Sequence, residues 1–128
     1  MVDKEVLLSE LCSRLPYGVK CDIGDNKPYT LNSIEVDYTD GHLIRFKELK
    51  NGFIMEVYLS EVKPYLFPLS SMTKEQYSEF TDMGYSVTER WWSMANYHQL
   101  DWFHKNHFDY RGLIEKGLAI DATGLNIY

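Results

Sequence analysis

The chain has little of what several classes of protein require. Its two cysteines, Cys12 and Cys21, lie outside any CxxC pair, which excludes a disulfide framework and a cysteine-based zinc site. No two Lys or Arg residues are adjacent and the net charge is -6, so binding to nucleic acid is disfavoured. No apolar run reaches membrane-spanning length, and the start of the chain lacks a signal-peptide pattern. We therefore expect reduced thiols, a cytoplasmic location and no membrane partner.

Aromatic residues, in contrast, are abundant. They make up 15% of the 128 residues and include ten tyrosines. The length suits one domain, residues 1–128, and the apolar and charged fractions are close to those of globular proteins. Large rings bury much area per residue, so we expect most of them in a core and some at a contact surface.

Hydrophobic periodicity predicts an α+β fold. Apolar residues recur at helical spacing from Asp3 to Leu15, and Pro16 with Gly18 ends this helix. The period then shortens toward two and predicts strands at Val19–Ile23, Leu31–Tyr38, His42–Glu48 and Phe53–Leu59. The turn sequences between them are Gly24-Asp25-Asn26, Thr39-Asp40-Gly41 and Lys50-Asn51-Gly52. We expect a small twisted antiparallel sheet or an SH3-like barrel, with an N-terminal helix and C-terminal helices.

Two features of this region give sharper expectations. Alternation in the second strand directs Ile34, Val36 and Tyr38 to one face and Ser33, Glu35 and Asp37 to the other. The segment Val62–Leu69 contains two prolines, which cannot donate backbone hydrogen bonds. It is therefore predicted to be a buried extended connector and not a central strand.

Helix signals follow. Thr73 and Gln76 form a capping box that begins a short helix, which ends at Gly84. A second box at Ser86 and Glu89 opens a helical region that either continues to residue 106 or breaks near residue 96.

The tail follows these helices. Gly112 and Gly117 divide it into a turn and an extended piece, Leu118–Ala122.

Asp101, His104 and His107, with Asp109 beyond, are the candidates for chemistry. Spacings of three place side chains one helical turn apart, which makes a small metal-dependent enzyme the alternative function. The set lacks the flanking glutamate of zinc helices, and His107 is expected at the helix end, where the dipole favours a cation. No glycine loop or serine elbow is present, so we assign no catalytic residue, metal or cofactor.

The candidate binding residues are Trp91, Trp92, Tyr97, Tyr110 and Arg111. Adjacent residues on a helix point about 100° apart, so one of the two indoles is expected at the surface as an anchor for a partner. A charge pair of Asp109 with Arg111 is expected to fix the turn at Tyr110.

A third hypothesis is an acidic mimic of nucleic acid. It requires most of five carboxylates to line one face: Glu35, Asp37, Asp40, Glu56 and Glu61.

Three segments resemble a family of small proteins of unassigned activity that phages and mobile elements of gut bacteria encode. They are Leu11–Val19, Val62–Thr73 with KPYLFPLSSMT, and Asp101–Ala119 with HFDYRGLIEKGLA. Family members usually have Arg at Phe67 and a Leu-Asn pair at Phe103-His104, which weakens a metal site at His104.

The resemblance implies a role in phage or mobile-element biology inside a bacterial host cell and carries over no catalytic residue. With the composition, it leads us to expect a non-enzymatic binding module whose partner is a protein or a small signalling molecule, with host takeover or counter-defence as its setting.

Overall fold

The structure is a computed structural model that describes residues 2–36, 41–47, 53–84 and 94–128. The chain forms two compact units, the first from Met1 to Tyr65 with Ile127 and the second from Leu66 to Asn126 with Tyr128. Helices and a mixed sheet are both present, which confirms the α+β class. The single domain stays a prediction, and each unit is described by itself.

The first unit begins with helix α1, Val2–Arg14. A 3-10 turn, Leu15–Tyr17, contains Pro16, and Gly18 adopts a φ of 68° and donates its N–H to the carbonyl of Leu15. Glycine adopts this left-handed conformation without the steric penalty of a Cβ. The predicted helix and its end are therefore confirmed.

Antiparallel pairing in the first unit follows the predicted strands. Strands β1 Lys20–Asp22, β2 Tyr29–Glu35, β3 Leu43–Lys47 and β4 Ile54–Tyr58 lie in the order β4-β3-β2-β1, and the start of β5, Lys63–Pro68, pairs with β1. Over the described residues β4 and β5 do not pair, so this sheet is open and does not form the SH3-like barrel. The tips of the two predicted hairpins, residues 37–40 and 48–52, lie outside the described residues.

A bulge in β2 changes which side chains share a face. The register shifts between Leu31 and Ser33, so that Leu31 lies opposite Phe46 while Ile34 lies opposite Ile44. Phe46 and Ile44 are fully buried on one face of β3, so the extra residue brings Leu31 and Ile34 to the same side. Val36 was predicted to point inward with Ile34, but it is 44% exposed.

The prediction that Val62–Leu69 is not a central strand is wrong. In the first unit, Pro64 of β5 lies opposite Cys21 of β1 and is buried with Tyr65, as a buried extended segment should be. Pro64 and Pro68 lie near the two ends of β5, and the residues between them keep their N–H groups. Proline is tolerated near a strand end because few ladder hydrogen bonds are lost there.

In the second unit, the end of β5 pairs in parallel with β6, Phe108–Asp109, and also pairs with β7, Ile120–Asp121. The N–H of Phe67 donates to the carbonyl of His107 at 2.8 Å. The turn at residues 113–117 follows Gly112 and ends at Gly117, and the φ angles of the two glycines are 73° and 76°. The predicted turn is present, whereas the extended piece predicted at Leu118–Ala122 begins with a bend and forms a strand only at Ile120–Asp121.

Two helices complete the second unit. Helix α2, Lys74–Asp82, begins at the predicted capping box of Thr73 and Gln76. Helix α3, Tyr97–Lys105, begins immediately after Asn96, so of the two forms predicted for this region the break near residue 96 is the one present. The predicted box at Ser86 and Glu89 lies outside the described residues.

Stacked rings form the core of the second unit. Its buried members are Phe80, Trp102, Phe103, Phe108 and Tyr110. Phe80 and Phe103 have centroids 4.6 Å apart, and Trp102 stacks on Phe108 at 5.4 Å and 7°. Such pairs add about 0.5–1.5 kcal/mol to the free energy of area burial.

Burial of Cys21 makes the free energy of unfolding depend on pH in the alkaline range. Desolvation, with a smaller contribution from the charge of Asp22, raises the pKa of Cys21 well above its ordinary value of 9.0. The unfolded chain therefore loses this proton at a lower pH than the folded chain. The stabilising contribution is complete below pH 9 and is lost as pH rises through the folded pKa.

We expect the free energy of unfolding to fall by up to about 1.4 kcal/mol per pH unit above pH 9, as measured by urea unfolding from pH 7 to 10. Cys21→Ala should flatten this fall, whereas Cys12→Ala, which removes an exposed thiol, should retain most of it. An equally steep fall in Cys21→Ala would show that other groups cause it.

A buried ion pair lies on α1. Nε of Arg14 donates to Oε2 of Glu10 at 2.7 Å, and both side chains are 1% exposed. Burial makes the loss of one side chain of the pair far more costly than the loss of both, because the remaining buried charge loses the attraction that offsets its desolvation.

Glu10→Leu should lower the free energy of unfolding by about 3 kcal/mol. The double variant Glu10→Leu with Arg14→Met should be less destabilised than the sum of the two single changes, as a double-mutant cycle of denaturant unfolding would measure. Simple additivity would mean that the two charges do not interact.

Candidate binding surfaces

The start of α3 is joined to the end of α2 by the side chains of Asn96 and Gln99. Oδ1 of Asn96 accepts the N–H of Gln99 at 2.9 Å, and Oε1 of Gln99 accepts the N–H of Asn96 at 3.1 Å. Nδ2 of Asn96 also donates to the carbonyl of Met83 at 2.9 Å, and Nε2 of Gln99 donates to the carbonyl of Phe80 at 3.2 Å. The two side chains thus cap one helix and bind the last carbonyls of the other.

Gly84 permits this close approach. A Cβ at this position would lie 2.9 Å from Cδ of Gln99 and closer still to Nδ2 of Asn96. Any larger residue would displace the amides that join the helices.

The capped first turn of α3 presents an aromatic pair to solvent. Tyr97 is 70% exposed, and its ring centroid lies 4.1 Å from that of His98, which is also exposed. Met94, just before the cap, is 55% exposed. We name Met94, Tyr97 and His98 the α3 surface.

The second half of α3 packs in the core of the second unit. Trp102, one turn and a half beyond Tyr97, is buried, and its indole N–H donates to Oε1 of Glu79 at 3.0 Å. The exposed rings of Tyr97 and His98 therefore lie on a helix that is capped at its start and packed in the core through its buried side chains.

The other predicted binding residues have different places. Trp91 and Trp92 lie outside the described residues. Tyr110 is buried, with its ring stacked on Phe103 at 5.1 Å, and the guanidinium of Arg111 lies 5.7 Å from the centroid of the Tyr110 ring. Of the five candidates, Tyr97 is the one that the structure shows to be largely exposed.

Asp109 fixes the turn after β6 through backbone groups. Its two carboxylate oxygens accept the N–H groups of Leu113 and Ile114, each at 2.9 Å. Charge-assisted bonds of this kind hold a turn as a capping carboxylate holds a helix start. Asp109 thus holds the turn that follows Tyr110 through hydrogen bonds to the backbone, while its predicted charge pair with Arg111 stays a prediction.

The candidate catalytic residues do not converge. Asp101 is exposed, His104 is buried with Nε2 2.7 Å from the hydroxyl of Tyr110, and His107 stacks on Tyr128 with centroids 3.7 Å apart. His107 has a φ of 63°, which takes its backbone out of the helix. Among the described residues, no group of three or more His, Cys, Asp or Glu side chains could hold a metal ion.

Acidic side chains of the first unit lie on the outer face of β2, β3 and β4. Arg45 donates from Nε to Glu56 at 3.0 Å and from Nη2 to Glu35 at 3.2 Å. Two of the five carboxylates that a nucleic-acid mimic requires are thus paired with one guanidinium. Glu61 is exposed beyond β4, and Asp37 and Asp40 lie outside the described residues.

Comparisons with models of protein families, with curated proteins and with solved structures find no match. Within the described part of the chain, no helix combines the length and the apolar character that crossing a bilayer requires.

Two features of the candidate surfaces were missed by sequence reasoning. Asn96 and Gln99 have the same spacing as the capping box at Thr73 and Gln76, so a local signal for the start of α3 was present. The ladder around Arg45 had no local signal, because it joins three strands.

Gly84→Ala should lower the free energy of unfolding by about 1–3 kcal/mol, since the added methyl group displaces Gln99 and Asn96. The exposed change Ser78→Ala on α2 should stay within about 0.5 kcal/mol of the wild type. Thermal and denaturant unfolding measure both, and a fully stable Gly84→Ala variant would show that the helices do not depend on this contact.

Proposed function

We propose that this protein is a non-enzymatic binding module that contacts a partner protein through the α3 surface. The observation that carries the proposal is the 70% exposure of Tyr97 on a helix whose first turn is held by four side-chain hydrogen bonds. A tyrosine has few rotatable bonds, so a ring on a fixed helix loses little entropy when a partner covers it.

The composition of the surface supports a protein partner. Tyr97 and His98 offer flat rings with polar atoms, and Met94 offers an adaptable apolar side chain. Tyrosine and methionine are enriched at protein interfaces, where a ring can be buried while its hydroxyl keeps a hydrogen bond.

The alternative, a metal-dependent enzyme, has less support. Asp101 is exposed, while His104 and Asp109 hydrogen-bond to the core tyrosine and to a turn. These hydrogen bonds give His104 and Asp109 structural roles, so no catalytic role is needed to account for them.

The biological setting rests on the resemblance alone. We propose that the module acts in the cytoplasm of a bacterial host cell as a phage or mobile-element accessory protein. A host defence or regulatory protein is the partner that this setting favours, with a small signalling molecule as the second candidate.

The test uses the full chain immobilised without a tag near α3. A partner captured from host extract is identified, purified and titrated by calorimetry against the wild type and against Tyr97→Ala with His98→Ala. We expect binding to weaken by at least about tenfold, because truncated aromatic anchors commonly cost more than 1 kcal/mol.

Tyr77→Ala is the matched control, since Tyr77 is an exposed tyrosine on the other helix of the same unit. It should leave binding unchanged. Trp91→Ala with Trp92→Ala extends the test to the predicted anchors outside the described residues. Equal affinity of the Tyr97 and His98 variant and the wild type, with unchanged thermal midpoints, would contradict the α3 surface as the contact.

A further inference from the structure

Strand β4 ends the sheet of the first unit. It pairs with β3 from Ile54 to Tyr58, and among the described residues no strand pairs with its other side. An edge strand presents a row of backbone N–H and C=O groups that can pair with an added strand. The strand contains no proline and no lysine, which are common devices that block such pairing.

Charges alternate across the strands toward this edge. Glu35 on β2, Arg45 on β3 and Glu56 on β4 form one hydrogen-bonded ladder, with Arg45 in the centre. The row therefore ends at the edge with a carboxylate. Two carboxylates face one guanidinium, so the ladder carries excess negative charge, and a basic residue on an added strand would continue the alternation.

Apolar side chains flank the charge. Ile54 and Tyr58 lie two residues on either side of Glu56, which places all three on one face of β4. Ile54 is 48% exposed and Tyr58 is 52% exposed. An added strand would therefore meet an apolar, an acidic and an apolar side chain in turn.

We propose that the β4 edge binds an extended segment of a partner protein as an added antiparallel strand. The segment carries Lys or Arg opposite Glu56, with apolar side chains two residues away on both sides. This surface shares no residue with the α3 surface and extends the proposed function to a second, sequence-selective contact. Backbone hydrogen bonds supply affinity, and the alternating side chains supply selectivity.

A second copy of this chain is a poor occupant. Antiparallel pairing of β4 with itself, centred on Glu56, would place two glutamates directly opposite each other, and like charges in that position destabilise a sheet. The net charge of -6 adds repulsion between copies. Charge thus favours a basic segment over self-association.

The experiment titrates the isotope-labelled full chain with the blocked peptide Ser-Val-Thr-Arg-Thr-Ile-Ser and follows amide NMR signals. We expect saturable shifts at β3 and β4, and cross-strand nuclear Overhauser contacts between the peptide and β4. Tyr97→Ala should bind the peptide as the wild type does, which separates this proposal from the α3 surface.

Two peptide controls test selectivity. Replacing the arginine of the peptide by glutamate should weaken binding by about tenfold, since an attraction becomes a repulsion, and salt near 0.5 M should reduce the difference. Backbone N-methylation at the two threonines should change the affinity of the peptide very differently from N-methylation at valine, arginine and isoleucine. Alternate N–H groups of a strand point to opposite edges, so only one of the two sets donates to β4.

A matched pair of protein variants tests the acidic residue. Glu56→Gln should weaken binding of the arginine peptide by about threefold, whereas Glu61→Gln, which neutralises an exposed carboxylate after β4, should not. Three outcomes would each overturn the proposal. The arginine and glutamate peptides could bind equally well, or binding could be insensitive to the position of N-methylation. The third outcome is that dilution of the protein without peptide causes the shifts at β4.

Discussion

The packing of α2 against α3 in the second unit depends on the hydrogen bonds of the Asn96 side-chain amide. It caps α3 while it donates to the carbonyl of Met83 at the end of α2, and Gly84 leaves room for it. Because α3 starts at this point, Trp102 and Phe103 meet Phe80 in the core. The same constraint turns Tyr97 outward, so a partly buried contact determines an exposed surface.

Sequence patterns predicted the elements whose causes lie within a few residues. Pro16 with Gly18 ended α1, and Thr73 with Gln76 began α2, since each signal acts through neighbouring backbone groups. The alternating strands were also found, because in β3 and β4 the side chains of one face are more buried than those of the other. The candidate site was predicted in part: Tyr97 is exposed, while Tyr110 proved to be a core residue.

The remaining features depend on contacts between distant residues. The two prolines of Val62–Leu69 predicted that this segment is not a central strand. A proline near a strand end removes few ladder hydrogen bonds, so its cost in free energy is small. The position of a strand end depends on the neighbouring strands, which a local pattern does not contain. The bulge beside Leu31 arises because Phe46 and Ile44 must both meet apolar partners. No local pattern distinguishes Tyr110, whose hydroxyl lies beside a buried histidine, from Tyr97, which faces water.

Burial also decides what similar charge pairs do in this protein. Glu10 and Arg14 form a buried, desolvated pair on α1, where the loss of either side chain is costly. Arg45 with its two glutamates is partly solvated, so the ladder adds little to stability. Over the described residues this weakly stabilising ladder ends at the β4 edge, where Glu56 can exchange water for a basic side chain at a small cost in free energy. Selectivity for an added strand is therefore a physical consequence of where the alternation of charge stops.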